Sequence, residues 1–169
     1  MIVPSSITVR ELQPDDRAWL AALWRERWGG ETVVTRGRVH RVGELPGFVA
    51  EMGGERVGAA THRIDGDDCE MVTLDAVRLR MGVGTALLAA VQAAAGDRRL
   101  WLITTNDNLD AMRFYQRRGF VLAAVHPNAI EAGRLLKPQI PLVGNYGIPI
   151  RDEIEFVWVQ RHARQWAAW

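Results

Sequence analysis

A pair of glycines at the start of a helix constrains this chain more than any other feature. The sequence from Gly82 to Gly96 is GVGTALLAAVQAAAG, a Gly-x-Gly turn followed by an almost uninterrupted run of helix formers. The first N–H groups of a helix have no intrahelical partner and carry partial positive charge, and glycines let an anion approach them closely. The turn therefore fits either a tight entry into a packed helix or an anion site. It is neither a dinucleotide fingerprint nor a P-loop, because Leu87 takes the third glycine position and no Gly-Lys-Ser/Thr follows.

Length and composition predict an ordinary globular domain. The chain has 169 residues and a formal charge of +1, so we expect a single domain over residues 1–169 and no electrostatic attraction to nucleic acid. We also expect no membrane association, because no apolar run is long enough to cross a bilayer and the N-terminus lacks a signal-peptide layout. Cys69 is the only cysteine, so no internal disulfide can form and we expect a cytoplasmic location. We interpret Cys69 as a small residue that fills space in a strand, in preference to a nucleophile.

Hydrophobic periodicity predicts a mixed sheet with helices on both faces. A strand over residues 7–12 precedes a helix carrying Leu20, Leu23 and Trp24 on one face, with Trp19 and Trp28 as further core residues. Residues 31–46 are expected to be irregular with one short strand. Three strands then form a meander that leads into the glycine turn, and two helix crossovers follow. After Pro127 the prolines predict a loop-rich passage before a final strand over residues 153–159.

A second motif lies about twenty residues beyond the glycine turn. Residues 106–120 read NDNLDAMRFYQRRGF, with Asn108, Ala111, Phe114, Tyr115 and the Gly119-Phe120 pair in a specific spacing. Here the chain resembles the GNAT acyl-CoA N-acyltransferases. The segment LRMGVGTALL is similar to the pyrophosphate turn of that family, except that Leu79 takes its Gln/Arg position and the connection from Val77 to Gly82 is short and lacks proline.

The resemblance is specific from Glu70 to Phe120 and implies both a fold and a co-substrate. The implied fold is α+β (mixed α/β): a splayed, mostly antiparallel GNAT-type sheet with helices on both faces. The implied co-substrate is acetyl-CoA, and no metal is expected. The resemblance assigns the phosphate and pantetheine contacts to Ala76, Val77, Arg80, Gly82, Val83, Gly84, Thr85, Asn108 and Tyr115. A backbone N–H near Leu74 or Asp75 would face the thioester carbonyl.

Acyl transfer to an amine needs a base for the amine and a proton for the departing thiolate. The resemblance makes Tyr115 the acid. Glu70 and Asp75 are the candidate bases, with His62 on the neighbouring strand as a third and a water chain as the alternative. Glu70 and Asp75 are five residues apart, so they point to opposite faces of a regular strand unless a bulge intervenes.

The segment after Pro127 is expected to lie across the acceptor side of the cleft. Together with His126 just before it, its cations Arg134, Lys137 and Arg151 would suit an anionic acceptor. Its anions Glu131, Asp152, Glu153 and Glu155 would suit a cationic one, which leaves the acceptor class open. The expected partner is a small-molecule or peptide amine, and a homodimer through Trp166 and Trp169 is compatible with the sequence. Two alternatives to an N-acetyltransferase stay open at this point. One is a catalytically weak acyl-CoA sensor on the same fold, and the other is a nucleotide-binding module using Gly82 and Gly84 alone.

Overall fold

The computed structural model describes residues 6–159, in which a seven-stranded sheet is covered by helices on both faces. The sheet has the order β1-β4-β5-β6-β7-β9-β8, and the small hairpin β2-β3 is separate from it. All neighbouring strands are antiparallel except β6 and β7. The strands are β1 (Ile7–Glu11), β2 (Thr32–Thr35), β3 (Arg38–Arg41), β4 (Gly47–Met52), β5 (Glu55–Asp65), β6 (Asp68–Ala76), β7 (Arg99–Thr105), β8 (Phe120–His126) and β9 (Glu153–Trp158). The α-helices are α1 (Arg17–Trp28), α2 (Val83–Ala95), α3 (Leu109–Gln116) and α4 (Ala129–Leu136).

Two hydrophobic cores lie on opposite faces of the sheet. On one face, α2 and α3 bury residues such as Leu87 and Tyr115 against the strands. On the other face, α1 packs Leu20 and Trp24 against the β2-β3 hairpin and against Val72 of β6. The expected α+β fold with helices on both faces is therefore confirmed. In the part of the chain that the structure describes, no helix is long and apolar enough to cross a membrane.

The expectation of one short strand within residues 31–46 was wrong, because this stretch forms the β2-β3 hairpin. Its turn residues Arg36 and Gly37 both have positive φ, 48° and 73°. Two consecutive left-handed residues match the twist of a tight hairpin, although Asn-Gly or Asp-Gly is the usual pair there. Val33 then turns inward and joins the core beneath α1.

The expectation of a loop-rich passage after Pro127 was also wrong in part, because α4 lies within it. Asn128 precedes the helix at a φ of 58°, and its N–H donates to Asp152 Oδ1 at 2.8 Å. The helix buries Ile130 and Gly133 and ends at Leu136, so Pro138 follows it without interrupting it. The prolines therefore mark the end of a helix and the loop beyond it. The predicted homodimer contact at Trp166 and Trp169 lies outside the described residues.

Candidate active site

The strands β6 and β7 separate from one another partway along the sheet. Their parallel pairing joins Asp68 to Arg99, Cys69 to Leu100 and Glu70 to Trp101. Beyond Glu70, β6 continues to Ala76 and β7 continues to Thr105 outside that register. The splay implied by the resemblance is therefore present. A cavity of about 940 Å³ opens at the far end of these strands, between the end of β6, the start of α2 and α3.

The first turn of α2 forms one wall of this cavity. Gly82 precedes the helix in the left-handed conformation, with φ at 82°, which a residue with a side chain rarely adopts. The first hydrogen bond of the helix runs from the N–H of Ala86 to the carbonyl of Gly82. The N–H groups of Val83, Gly84 and Thr85 therefore precede the helical ladder, and all three residues line the cavity.

Gly84 has a separate reason to be glycine. A Cβ atom at this position would lie 3.2 Å from Phe114 Cζ and 3.3 Å from Phe114 Cε2, closer than most such contacts. The missing side chain lets the start of α2 approach α3. Arg118 completes this contact, because its guanidinium lies 3.7 Å from the Phe114 ring centroid and donates to Thr85 Oγ1 at 2.8 Å.

Positive charge dominates the cavity wall. Two acidic residues, Asp75 and Asp110, stand among its lining residues. The lining arginines are Arg27, Arg78, Arg80, Arg113, Arg117 and Arg118. Guanidinium groups and unpaired helical N–H groups are the donors that proteins use for phosphates. The cavity is therefore suited to an anionic ligand at the α2 end.

Asn108 immediately precedes α3 and also lines the cavity. Its side-chain Oδ1 accepts a hydrogen bond from the N–H of Ala111 at 3.2 Å, so it caps the helix. The two residues before it hold the loop that leads into β9. Asn106 Oδ1 accepts from the N–H groups of Arg151 and Asp152, and Asp107 Oδ2 accepts from the N–H of Asn145.

Tyr115 lies in the core at the inner end of the cavity. Its ring packs against Phe114, Phe120 and Phe156, with centroids 5.4, 5.5 and 6.3 Å away. The side chain is 9% exposed and lines the cavity, and its hydroxyl makes no hydrogen bond with any residue in the range 6–159. Burial and the nearby Asp75 raise the pKa of Tyr115, so the hydroxyl keeps its proton at neutral pH.

Asp75 lies near the end of β6 and lines the same cavity. It is 8% exposed, and burial raises its pKa to about 6. The indole N–H of Trp28 donates to both carboxylate oxygens, at 3.2 Å to Oδ1 and 3.0 Å to Oδ2. This bond and the positive charge of Arg27 oppose the effect of burial. The carboxyl group therefore titrates close to neutrality.

A bulge in β6 places Glu70 and Asp75 on one face of the sheet. Thr61 pairs with Thr73 and His62 pairs with Met71, which leaves Val72 as the extra residue. Glu70 consequently points towards the β2-β3 hairpin, where it accepts a hydrogen bond from Thr35 Oγ1. Burial raises the pKa of Glu70. Asp75 lines the cavity, whereas Glu70 lies in this buried network with Thr35 and His40 and does not line it.

Comparison with known proteins identifies the family. Residues 9–120 match the profile of the Acetyltransferase (GNAT) family.

The chain belongs to the GNAT acetyltransferase family.

The chain is also similar to a curated relative and to solved structures. The chain is 42% identical over 160 residues to "Uncharacterized protein YdhI" of Bacillus subtilis (strain 168), covering 92% of this chain and 96% of the relative. Among solved GNAT folds, the IAA acetyltransferase of Bacillus cereus ATCC 14579 superposes with a TM-score of 0.66 at 18% identity, covering 90% and 99% of the two chains. A GNAT family acetyltransferase from Elizabethkingia anophelis, solved with acetyl-CoA bound, gives 0.66 at 18% identity, covering 91% and 98%.

Most of the site residues expected from the GNAT resemblance lie around this cavity. The cavity residues from that set are Asp75, Ala76, Arg80, Gly82, Val83, Gly84, Thr85, Asn108 and Tyr115. Val77 does not line the cavity; its N–H donates to the carbonyl of Val57 at 2.8 Å and its side chain is exposed. Glu70 does not line it either, because it lies in its buried network. His62 is stacked on Phe48, and Cys69 is fully buried in the core as expected.

Sequence reasoning missed Trp28 as a site residue in this GNAT chain. The helical spacing of Trp19, Trp24 and Trp28 indicates a core stripe, and Trp24 is indeed fully buried. Trp28 is the last residue of α1 and is only partly buried, so its indole can extend to Asp75. A signal was present in the Gly29-Gly30 pair, which ends the helix at this residue. Within residues 6–159 no group of three or more metal-ligating side chains is placed to hold a metal ion.

Proposed function

We propose that this GNAT family member is an acetyl-CoA-dependent N-acetyltransferase. The acceptor is a primary amine of a small molecule or peptide, which attacks the thioester directly while both substrates are bound. The observation that carries this proposal is that one cavity is lined by Asp75, Tyr115, Asn108 and the first turn of α2. A base, a proton donor and a phosphate-binding helix end thereby share a single space.

The α2 end of the cavity would hold the pyrophosphate of CoA. The N–H groups from Gly82 to Thr85 supply donors without side-chain obstruction, and Arg80 adds positive charge. The pantetheine arm would follow the unpaired edge of β6 past Ala76 and Val77, towards Asn108 and Tyr115. The N–H of Val77 is engaged by Val57, so its carbonyl is the group left for the arm. The acetyl-CoA bound by the Elizabethkingia anophelis protein of the same fold supports this ligand.

Asp75 is the proposed general base. An alkylammonium has a pKa of about 10.4, so a proton must leave the acceptor before attack. A carboxylate with a pKa of about 6 is ionised at neutral pH and is a stronger base than an ordinary aspartate. Glu70 remains the second candidate, and it would act from its network with Thr35 on the same face of the sheet.

Tyr115 is the proposed general acid. Its hydroxyl is protonated at neutral pH and makes no hydrogen bond within residues 6–159, so it is available to a sulfur atom in the cavity. The thiolate that leaves CoA has a pKa of about 8.5 in water. Burial raises the pKa of Tyr115, and it would also raise the pKa of a CoA thiol in the same cavity. The difference between the two pKa values would therefore stay small enough for proton transfer.

The proposal is tested by supplying acetyl-CoA with a panel of primary amines and detecting free CoA with a thiol reagent. The panel contains alkyl amines, amino sugars and peptides with a free N-terminus. Cys69 is the only cysteine and is fully buried, so the reagent reports CoA rather than the protein. We expect CoA release with one acceptor class and much slower release in Asp75→Asn. Tight CoA binding without turnover across the panel would instead indicate the sensor function.

Glu70→Gln separates the two candidate bases. If Asp75 is the base, Glu70→Gln keeps an acid limb near pH 6 in kcat/KM, whereas Asp75→Asn removes that limb. If Glu70 is the base, Asp75→Asn keeps an acid limb and Glu70→Gln removes it. Both substitutions keep the size of the side chain, so the packing around each position is preserved.

A further inference from the structure

Two tryptophans of α1 differ in what their indole N–H groups contact. Trp28 Nε1 donates to both oxygens of Asp75, at 3.2 and 3.0 Å. Trp24 lies one turn earlier and is fully buried, yet its Nε1 has no hydrogen-bond partner among residues 6–159. The bond to Asp75 is therefore a specific feature of Trp28 and not of the tryptophan stripe as a whole.

The backbone around Trp28 is held by contacts other than the one to Asp75. Gly29 ends α1 in the left-handed conformation, with φ at 69°. Lys137, which is 4% exposed, donates from Nζ to the carbonyl of Trp28 and to that of Thr32 at 2.6 Å. The segment after α4 thus fixes the end of α1 and the start of β2. Fixing the backbone restricts where the indole can point.

We propose that Trp28 is the positioning residue of Asp75, orienting its carboxylate at the cavity and favouring the ionised form. This inference rests on the proposed role of Asp75 as base. Each carboxylate oxygen has two lone pairs, so one shared N–H donor leaves acceptor capacity on both oxygens for an incoming amine. A tryptophan suits this task because its indole donates but cannot accept or release a proton at ordinary pH.

The charge on Asp75 is set by groups from several elements. Burial disfavours the carboxylate, whereas Trp28 and Arg27 on α1 favour it, and Tyr115 on α3 is neutral in the pH range where Asp75 titrates. The other titratable residues that line the same cavity are Arg78, Arg80, Asp110, Arg113, Arg117 and Arg118. Replacing Trp28 with Phe removes one donor and leaves these groups in place. The pKa of Asp75 should then rise further above its ordinary range.

The experiment is an NMR titration of the Asp75 carboxyl carbon in the free protein, which needs no acceptor. The signal is assigned with Asp75→Asn. We expect a midpoint near pH 6 in the unsubstituted protein. In Trp28→Phe the midpoint should be higher by about one to two pH units, because hydrogen bonds to charged groups are among the stronger ones. Trp24→Phe is the matched control, and it should leave the midpoint unchanged.

A second measurement needs no substitution at Trp28. In the unsubstituted protein the indole N–H signal of Trp28 should shift with the same midpoint as Asp75, while that of Trp24 should not. This result decides the matter even if Trp28→Phe fails to fold. An indole signal of Trp28 that is independent of the Asp75 titration overturns the inference, and so does an Asp75 midpoint in folded Trp28→Phe equal to that of the unsubstituted protein.

Kinetics distinguish the failure of this inference from the failure of the proposed function. With an acceptor in hand, the acid limb of kcat/KM should move upward in Trp28→Phe and the rate should recover at high pH. A merely structural role would lower the rate at every pH. Absence of CoA release by the unsubstituted protein with every acceptor overturns the proposed function. Undiminished turnover in Asp75→Asn overturns the role of Asp75 as base, and an unmoved acid limb in Trp28→Phe overturns only the role given to Trp28.

Discussion

Asp75 shows how a single residue can be costly for stability and useful for chemistry. It is 8% exposed, and the one hydrogen bond that its carboxylate accepts among residues 6–159 comes from Trp28. Its pKa is about 6 in the folded protein against an ordinary value of 3.8. A carboxyl group with a raised folded-state pKa contributes its full stability below pH 3.8 and loses it as the pH rises through about 6.

The loss of this stabilising contribution at high pH leads to a prediction for Asp75→Asn. At pH 8 the variant should be more stable than the unsubstituted protein by about 1–3 kcal/mol, because it no longer buries a charge. The advantage should disappear below about pH 4, where Asp75 is neutral in both states. Thermal unfolding of both proteins at pH 8 and below pH 4 measures this difference in stability.

Asp16→Asn is the contrasting control for this prediction. Asp16 is also buried but is bonded to Arg10 and Arg56, which hold its pKa well below the usual range. Its stabilising contribution is present above the ordinary pKa and is lost as the pH falls, so Asp16→Asn should destabilise the protein at pH 8. A destabilised Asp75→Asn at pH 8 would contradict the prediction above.

Tyr115→Phe should lower kcat by about 100-fold or more with little effect on CoA affinity. General acid help is worth about 10²–10⁴-fold, and phenylalanine keeps the ring packing against Phe114, Phe120 and Phe156. The hydroxyl bonds to no residue in the range 6–159, so its removal should barely change the thermal midpoint. Turnover and midpoint are measured on the same variant. Unchanged kcat would assign Tyr115 to the core alone.

At the scale of elements, the start of α2 combines two demands that glycine meets for different reasons. Glycine suits position 82 because the backbone φ there is 82°. Glycine suits position 84 because a Cβ atom there would lie 3.2 Å from Phe114 Cζ. From the sequence alone this turn fits either a tight entry into a packed helix or an anion site. The contact of Gly84 with Phe114 supports the first explanation, and the cavity that both glycines line supports the second. The proposed anion site and the helix packing therefore use the same turn.

Gly82→Val should weaken CoA binding by about tenfold or more. The side chain strains the left-handed backbone and stands beside the N–H groups proposed to hold the pyrophosphate. Gly96→Val is the matched control, because Gly96 follows the other end of α2 at a φ of 60°. Both variants should lose stability, and only Gly82→Val should lose affinity. Calorimetry with CoA measures this, and equal affinities would remove the turn from the phosphate site.

Elements with strong local patterns were predictable, and those that depend on long-range contacts were not. The helix-forming run after Gly84 and the Asn108 cap are local signals, and both helices form where expected. The β2-β3 hairpin turns at Arg36-Gly37, a pair with no strong turn preference, and it is stabilised by core packing of Val33. The bulge at Val72 likewise depends on the pairing of β6 with β5, which the sequence of β6 alone cannot specify.

At the scale of the whole molecule, the site is assembled from two successive parts of the chain. Strands β1 and β4–β6 with α1 and α2 supply Asp75 and the glycine turn. Strands β7–β9 with α3 and α4 supply Asn108 and Tyr115. The family motif was recognisable because its two segments are close in sequence on either side of this division. Trp28 could not be recognised from the sequence as a residue near the site, because only the packing of α1 brings it to Asp75.

CoA should stabilise the whole molecule because the site proposed for it spans both parts and exists only in the folded protein. At a concentration one hundred times its Kd, a ligand that binds only the native state adds about 2.7 kcal/mol, or about 5–10 °C in Tm for a chain of this size. Differential scanning fluorimetry measures the shift. ATP and NAD at the same concentration are the controls for a general nucleotide module. A shift with ATP as large as that with CoA would favour that module over acyl-CoA binding.

The three residue pairs that join β6 to β7 have a geometric consequence. Two strands that meet at one end and diverge at the other form a wedge, whose width at any depth depends on a single angle. In this chain that angle is set where Asp68–Glu70 pairs with Arg99–Trp101, at the closed end. The width of the space between the strands therefore depends on the paired residues at the vertex of the wedge, which a molecule bound at the open end does not contact.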